Sequence, residues 1–571
     1  MSEPGSSPAD QPRAVASAIP AGVAASAVIL AVIYASISLL SLRFAWGSPV
    51  ETRPVCTFLA LMTAAFAVHL VALRTAIRRR LSESAGRWIL LAGLGFRLIL
   101  LPSHPVQEID IYRYMWDGLV VSQGVSPYRF SPQQVLEFEG TPANEDLRRL
   151  VERRDSADGI RETLSRVHFR HLTTIYPPVS QAVFAAAAVL TPQSATSRTR
   201  LLITRAVIVL FDALAMQGML RLLRVFRRPA AWLIVYAWSP LVLKEFANSG
   251  HLDAIAVGLS TWAIVWWLKA VQSQNIVPLL LAAATLGLSV AAKLYPVVFL
   301  PVIAGSVIGR FPLKSSLAAA LLFSAVTFTS LRPMLHSEPP DPTQLSRRSP
   351  PSVTSPPLPE TASTSNQESG DGLTAFMSSW RMNDLIFSGL MENLVPQSRA
   401  WYSVIPMKLR ETLRSPVMQR TGVSEYTAAF MISRAVMAVI HVTITLSLMV
   451  LAWRCPVRRL PNLAFLSVAW FFLLLPTLNP WYWTWAMPLL PFARLRSWLL
   501  LSGCVSIYYL RFWLKYEFGR TTVVGTDYSG PEFFDHVVVW LEYLPFLLIL
   551  TAEAIRKRGR GGTPRDRPIS C

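Results

Sequence analysis

The chain has 571 residues, of which 52% are hydrophobic and only 15% are charged, and its mean hydropathy is +0.39. Soluble proteins carry about 25% charged residues, so this composition argues against a soluble enzyme. The net charge of +20 does not indicate nucleic-acid binding, because the basic residues form short clusters between apolar runs. A disulfide scaffold and a cysteine metal site are also excluded, since the four cysteines are widely separated: Cys56, Cys455, Cys504 and Cys571.

A helix that crosses a membrane needs about 20 mostly apolar residues. The sequence contains about fourteen such runs, within a range of 12–14. It therefore predicts an all-α polytopic membrane protein. The runs are 17–42, 56–76, 86–102, 201–223, 230–246, 252–271, 276–291, 294–309, 314–332, 427–453, 460–476, 482–499, 500–515 and 535–555.

Basic clusters predict the orientation of these runs, because Lys and Arg concentrate in short cytoplasmic loops. Every cluster follows an even-numbered run, which places both termini in the cytoplasm. The clusters lie at 78–80, 221–228, 310–314, 454–459, 494–496 and 556–560.

This orientation divides the chain into seven parts. They are a cytoplasmic tail 1–16, three helices in 17–102, an outer loop 103–200, helices four to nine in 201–332, a second outer loop 333–426, helices ten to fourteen in 427–555 and a basic tail 556–571. The segment 339–372 is rich in Pro, Ser, Thr and Glu and is predicted to be disordered. The apolar stretch after Tyr176-Pro177-Pro178 must not cross, so we expect an interfacial helix there.

The first outer loop opens with polar residues directly after a predicted span. Glu108, Asp110, Arg113, Tyr114 and Asp117 lie within ten residues. Asp110 and Arg113 could pair on one face of a helix. A carboxylate at the membrane surface, among aromatic residues, is suited to act as a general base. The alternative is an interfacial helix whose charges remain solvated.

Further ionisable and aromatic residues fall on the same outer side. Considered separately, these residues have ordinary explanations: Lys293 could snorkel to the interface, and Trp481 and Tyr482 could belong to an aromatic belt. One outward-facing cleft is the more economical interpretation, because the residues come from separate segments on one side of the membrane. The set is Asp110, Tyr176, Glu245, His251, Asp253, Lys293, Arg381 and Trp481.

At these motifs the sequence resembles GT-C superfamily glycosyltransferases, most of all glycosyltransferase family 87 and related bacterial polyprenol-phosphate-mannose-dependent mannosyltransferases. The resemblance covers about residues 86–500. The first two spans and the segment 339–372 fall outside the family pattern. The matching motifs are Asp110 to Gly118, Ser126-Pro127-Tyr128, Tyr176-Pro177-Pro178, Ser239-Pro240-Leu241, Gly250-His251-Leu252-Asp253, Lys293-Leu294-Tyr295-Pro296, Trp380-Arg381-Met382-Asn383 and Pro480-Trp481-Tyr482.

The resemblance implies roles for individual residues. Asp110 matches the catalytic base, with Glu108 as the local alternative. Lys293 matches a residue that binds the donor phosphate, and Arg381 is the second candidate. The remaining candidates would orient substrate or shape the cleft: Arg113, Tyr114, Asp117, Tyr176, Glu245, His251, Asp253, Trp481 and Tyr482.

The resemblance also implies the reaction. A hexose, with mannose the sugar that the family suggests, would pass with inversion from a polyprenyl phosphate sugar to a lipid-linked or cell-envelope glycan on the outer face of a bacterial plasma membrane. No cofactor and no metal are expected, and the partners are the bilayer, the donor lipid and the glycan or glycolipid acceptor, with no nucleic acid.

Two other classes remain as alternatives. A flippase or transporter of lipid-linked sugars should carry its ionisable residues near the middle of the membrane, whereas the candidates here lie at one boundary. A non-catalytic scaffold would not need Asp110, His251 and Lys293 to converge.

Overall fold

The computed structural model describes residues 19–336 and 380–560, apart from residues 80, 82, 141, 494 and 495. Within these ranges the chain is helical, and its only extended pairings are two isolated bridges. The prediction of an all-α polytopic membrane protein is confirmed. The predicted disordered segment 339–372 lies outside the described residues.

The chain begins with three long helices joined by short segments. They are α1 (Ala21–Leu40), α2 (Val55–Arg78) and α3 (Glu83–Leu100). Two short 3-10 helices, Ser41–Phe44 and Val50–Thr52, lie between α1 and α2. Because α1 packs against both α2 and α3, the first two helices belong to the same helical body as the third.

The segment 103–200, the predicted first outer loop, folds into five short helices. They are α4 (Ile111–Ser122), α5 (Pro132–Leu136), α6 (Glu145–Asp155), α7 (Asp158–Ser165) and α8 (Pro178–Val189). Ser131 and Asn144 cap α5 and α6 by accepting backbone hydrogen bonds from Gln134 and Leu147. Helix α8 has 12 residues, which gives a length of about 18 Å, too short for a hydrocarbon core of about 30 Å.

Seven helices follow the first loop. They are α9 (Ser197–Val225), α10 (Ile234–Ala237), α11 (Pro240–Val242), α12 (Asp253–Ser273), α13 (Ile276–Ala292), α14 (Leu300–Ile308) and α15 (Leu313–Leu335). The 3-10 helices Ala230–Leu233 and Tyr295–Phe299 and the π-helix Leu243–Asn248 complete this part. Helix α12 packs between α9 and α13, and 78% of its most apolar 18-residue stretch is buried.

The remaining helices begin after residue 380. They are α16 (Leu385–Met391), α17 (Met407–Thr421), α18 (Glu425–Arg454), α19 (Leu460–Leu474), α20 (Pro480–Trp483), α21 (Ser497–Cys504), α22 (Leu510–Phe518), α23 (Gly530–Phe533) and α24 (Val539–Arg560). Between them lie the 3-10 helices Val457–Arg459, Met487–Phe492 and Val505–Tyr509 and the π-helix Phe534–Val538.

Eight helical segments within the described residues are long and apolar enough to cross a membrane. Of the other six predicted spans, 86–102 lies on α3, which has 18 residues, and the rest lie on shorter or interrupted helices, including 230–246, 482–499 and 500–515. Proline explains several interruptions, since it removes a backbone donor and disfavours a helix in the preceding residue. Pro240, Pro296, Pro480 and Pro488 each lie at or near the start of a new helical segment.

A buried ion pair joins three of the predicted spans. The Arg97 guanidinium of α3 contacts the Asp212 carboxylate of α9, with Nε–Oδ2 at 2.5 Å, and both side chains are fully buried. Arg97 Nη1 donates to the Ala237 carbonyl at 2.8 Å, and Tyr236 Oη donates to Asp212 at 2.9 Å. The pair therefore also satisfies, through a hydrogen bond from Arg97, a backbone carbonyl at the break between α10 and α11. The sequence-based prediction missed this pair.

Candidate active site

One cavity of about 260 Å³ gathers most of the predicted site residues. It lies on the side of the bundle where α3, α13 and α19 end. We call it the site cavity. The predicted residues that line it are Glu108, Asp110, Arg113, Tyr114, Tyr176, Lys293, Trp481 and Tyr482. Five others lie outside its lining: Asp117, Glu245, His251, Asp253 and Arg381.

Asp110 stands at the entrance to α4, where it occupies the N-cap position without capping through its side chain. Its carboxylate accepts a hydrogen bond from Tyr176 Oη at 3.3 Å. Ile111 and the rest of the first turn of α4 are buried, so the backbone beside Asp110 is fixed while the carboxylate faces the site cavity. A carboxylate held in this way can accept a proton from a substrate hydroxyl.

The expected pairing of Asp110 with Arg113 is wrong. Arg113 Nε pairs with Asp117 Oδ1 at 2.9 Å, one helical turn further along α4, because residues four apart face each other on a helix whereas Asp110 precedes it. Arg113 also donates to the Leu172 carbonyl at 3.0 Å, and Gln181 donates to Asp117 at 3.1 Å. The pair thus ties α4 to the segment that carries Tyr176.

Aromatic packing completes this side of the site cavity. The Tyr114 ring stacks on Phe184 with centroids 4.7 Å apart and meets Tyr176 edge to face at 5.0 Å. A Cβ added at Gly118 would come within 2.3 Å of the Phe184 carbonyl oxygen. Helices α4 and α8 therefore approach closely, and Tyr176 at the start of α8 is held beside Asp110.

Glu108 lines the same cavity two residues before Asp110. Its Oε1 atom is buried and has no hydrogen-bond partner. Burial raises the pKa of Glu108 well above its ordinary value, the charges of Asp110 and Glu245 raise it further, and Lys244 opposes them. Glu108 is thus placed to carry a proton under conditions in which an exposed glutamate would be ionised.

Lys293, which follows α13, makes a close ion pair with the first residue of α12. Its Nζ lies 2.7 Å from Asp253 Oδ1 and 2.8 Å from Oδ2. The same ammonium lies 4.6 Å from the centre of the Tyr482 ring, and Trp485 Nε1 donates to Asp253 at 2.5 Å. Lys293 therefore faces the cavity with much of its charge balanced by Asp253.

A second buried polar network lies behind Trp481. Glu245, on the π-helix, accepts hydrogen bonds from Tyr509 Oη at 2.6 Å and from Lys244 Nζ at 3.3 Å. His251 Nε2 lies 3.3 Å from Glu245, and the His251 ring stacks on Trp481 at 4.1 Å. Glu245 and His251 thus support the cavity wall through Trp481.

The chain also approaches α4 closely at Gly250. This residue has a φ of +73°, a left-handed conformation that favours glycine, and a Cβ at this position would lie 2.5 Å from Ile111 Cδ1. Gly250 therefore allows the loop that carries His251 to pack directly against the residue after Asp110.

Arg381 is paired in a cluster outside the cavity lining. Its guanidinium contacts Asp384 at 2.9 Å and Glu392 at 2.8 Å. Its neighbours Trp380 and Met382 do line the cavity. The Met382 amide donates to the Pro476 carbonyl at 3.1 Å, and the Leu478 amide donates to the Met382 carbonyl at 2.9 Å, which fixes this segment beside the motif that holds Trp481.

Two groups of cavity residues were missed by sequence reasoning. The first comes from the connection between α1 and α2, a region that was expected to lie outside the family pattern: Phe44, Trp46, Val50 and Arg53. The second follows one face of α22 and the turn before it, at the helical spacing that could have revealed it: Tyr508, Arg511, Phe512, Lys515 and Tyr516.

Among the residues that the structure describes, no three His, Cys, Asp or Glu side chains are grouped as metal ligands would be. The expectation of a metal-independent site stays a prediction.

Comparison with known proteins identifies the family. A family model described as alpha-(1->6)-mannopyranosyltransferase, N-terminal domain, of the MptA/MptB family matches residues 16–309, just over half of the chain. No curated protein and no solved structure matches the chain. The matched range contains Asp110, Tyr176 and Lys293, and it supports the predicted mannosyltransferase resemblance. It also includes the first two helices, so the expectation that they fall outside the family pattern is wrong. The chain is thus a membrane protein that belongs to the alpha-(1->6)-mannopyranosyltransferase family.

Proposed function

We propose that the protein transfers mannose from a polyprenyl phosphate mannose to a lipid-linked or cell-envelope glycan. The observation that supports this most strongly is the site cavity, which brings Asp110, Tyr176 and Lys293 together with aromatic residues at one end of the bundle. A donor whose lipid lies in the bilayer and whose sugar lies at the surface would need a site in this position.

In this proposal Asp110 is the general base. The acceptor hydroxyl is a weak nucleophile, and a carboxylate within hydrogen-bond reach takes its proton as the new glycosidic bond forms. Tyr176, 3.3 Å from the carboxylate, orients Asp110 toward the cavity. Electrons from the cleaved bond pass to the donor phosphate, so nearby cations lower the energy of the transition state.

The stereochemistry follows from a single displacement. Attack opposite the phosphate inverts the anomeric carbon, so an α-linked product requires a β-linked donor. The family description names an α-(1->6) linkage, which on this route makes β-mannosyl polyprenyl phosphate the donor and a 6-hydroxyl the nucleophile. The proposal requires no cofactor and no metal.

The proposed location is the outer face of a bacterial plasma membrane, with both termini in the cytoplasm. The support is the distribution of basic clusters, all of which follow even-numbered predicted spans, in agreement with the preference of Lys and Arg for cytoplasmic loops. Cysteine labelling from outside intact cells tests it in a variant whose own four cysteines are replaced by serine: a cysteine placed at position 139 should react, and one placed at position 458 should not.

The test of function is a transfer assay in membranes that contain the protein. We expect labelled mannose to pass from polyprenyl phosphate mannose to a glycan acceptor, and the product to be cleaved by an α-1,6-specific mannosidase. Asp110→Asn is the matched inactive control. Transfer from nucleotide sugars alone would contradict the proposal.

A flippase remains the alternative for this arrangement. The buried Arg97–Asp212 pair is the kind of intramembrane charge that transporters use. It is, however, fully paired with Tyr236 and backbone carbonyls, which favours a structural role. Movement of a labelled lipid-linked sugar across vesicles without any new glycosidic bond would favour the flippase.

A further inference from the structure

The lining of the site cavity contains more cationic side chains than the proposed reaction uses. Five cationic side chains line it against two carboxylates: Arg53, Arg113, Lys293, Arg511 and Lys515 against Glu108 and Asp110. Three of the cations pair with carboxylates outside the lining: Arg113 with Asp117, Lys293 with Asp253 and Arg511 with Asp535. Arg53, Arg511 and Lys515 come from the two regions that sequence reasoning missed.

Arg511 is held in a fixed orientation at the cavity wall. Its Nε and Nη2 each lie 3.0 Å from a different oxygen of Asp535, which forms a two-point ion pair. This pair leaves the Nη1 edge of the guanidinium for another partner. A guanidinium oriented in advance loses less freedom when it binds a planar or tetrahedral oxyanion.

Lys515 and Arg53 extend this positive wall. Lys515 lies four residues after Arg511 on α22, so the two cations share a helix face and repel each other. Arg53 reaches the same cavity from the α1–α2 connection, and its Nε is buried without a hydrogen-bond partner. Neighbouring cations repel each other and attract an anion into the space between them.

Neighbouring polar atoms also lack partners. Gln107 is 8% exposed, and its Nε2 has no hydrogen-bond partner, as is true of Glu108 Oε1. Both residues line the cavity beside Tyr516, whose hydroxyl donates to Gln107 Oε1 at 2.8 Å. A buried polar atom without a partner is costly, which indicates that a polar ligand completes this part of the cavity.

We propose that Arg53, Arg511 and Lys515 form an anion subsite that binds the phosphate of a lipid-linked substrate. This inference rests on the proposed function and assigns its phosphate to specific residues. Arginine is suited to phosphate because its donors match two oxygens at once. The rings of Tyr508, Phe512 and Tyr516 line the same wall and strengthen the interaction by excluding water.

The two cations implied by resemblance are less suited to this role. Lys293 carries its charge on a single nitrogen that already has both oxygens of Asp253 within 2.8 Å, whereas Arg511 has a third nitrogen, Nη1, outside its ion pair with Asp535. Arg381 is balanced by Asp384 and Glu392 outside the cavity lining. Phosphate chemistry is common to the donor and to a phospholipid acceptor, so the experiment must separate these two sources.

The test compares Lys515→Gln and Arg53→Gln with the wild type in membranes, with initial rates measured as polyprenyl phosphate mannose and acceptor are varied separately. Arg520→Gln is the matched control, because Arg520 is an exposed cation just after the same helix and lies outside the cavity lining. We expect each cavity variant to raise the KM for the donor about tenfold, the effect of losing one charge-assisted hydrogen bond.

A binding measurement separates this inference from the proposed function. Polyprenyl monophosphate, without sugar, should bind purified wild-type protein in lipid nanodiscs and should bind Lys515→Gln and Arg53→Gln about tenfold more weakly. Lys515→Arg, which keeps the charge, should restore binding and exclude a folding defect.

The outcomes differ in what they decide. A raised KM for the acceptor instead of the donor supports the subsite and identifies the acceptor lipid as its source of phosphate. Donor KM, acceptor KM and monophosphate binding all within twofold of wild type in an active double variant would overturn the subsite alone. Absence of transfer from polyprenyl phosphate mannose in the wild type, with monophosphate binding intact, would overturn the proposed function and leave the subsite standing.

Discussion

The site cavity is built from two regions with different chemistry. Residues 44–293 contribute both carboxylates of the lining, Glu108 and Asp110. Residues 380–516 contribute aromatic rings, one amide, one methionine and two cations, but no carboxylate. The family model matches only the first of these regions, up to residue 309. The difference suggests that proton transfer belongs to the first region and that the second mainly binds substrate.

The largest expected effect is that of Asp110→Asn. Loss of the general base should lower kcat by about 10³-fold and leave the KM for the donor within about twofold, because the amide keeps the shape of the side chain. Glu152→Gln, on an exposed position of α6, is the matched control and should behave as wild type. A normal kcat for Asp110→Asn would contradict the assignment of proton transfer to the first region.

Lys293→Met tests whether the Lys293–Asp253 pair has a structural part as well as a functional one. Asp253 is fully buried, and removal of its partner leaves an uncompensated charge that costs about 3 kcal/mol. We expect a lower midpoint of thermal unfolding for the purified protein, with partial recovery in the double variant Lys293→Met/Asp253→Asn. An unchanged midpoint would show that water reaches Asp253.

Trp481→Ala tests the binding role of the second region. The Trp481 ring stacks on His251 and lines the cavity, so its loss removes about 1 kcal/mol of aromatic contact. We expect KM to rise by about fivefold to tenfold with kcat within threefold of wild type. Trp453→Ala, at an exposed tryptophan on α18, is the control. A fall in kcat alone would place Trp481 with the catalytic groups instead.

The smallest effect is expected for Glu108→Gln, and it appears in pH dependence. The pKa of Glu108 is raised in the folded protein, so the folded state holds a proton that the unfolded state releases more easily. The resulting stabilisation is present at low pH and is lost as pH rises through the folded pKa. Unfolding midpoints measured from pH 5 to pH 9 should fall less steeply in Glu108→Gln than in wild type. Identical slopes would show that Glu108 is solvated.

The sequence predicted the class of fold and the grouping of several site residues. Apolar runs mark helices wherever they occur, and basic clusters identify one side, so Asp110, Tyr176, Lys293 and Trp481 could be assigned to a common face before any geometry was known. All four line the site cavity. The role of each remains a prediction.

Other features could not be predicted from the sequence, because they depend on three-dimensional geometry. Arg113 has carboxylates both three residues before it and four residues after it, and only the position of the helix start decides in favour of Asp117. Arg511 and Lys515 were counted within a predicted span, 500–515, because hydropathy averages over a face that is polar. Interruption of the helices at 230–250 and 480–492 likewise depends on local backbone geometry.

Gly250 gives the arrangement a particular vulnerability. An added Cβ at Gly250 would lie 2.5 Å from Ile111 Cδ1. The absence of a side chain at Gly250 therefore allows the loop that carries His251 to pack closely against α4. Gly250→Ala would alter no reacting group and remove no charge. An alanine would be strained at a φ of +73°, and the side chain of Ile111, next to Asp110, would have to shift. We therefore expect this apparently conservative change to lower activity although it removes none of the proposed catalytic groups.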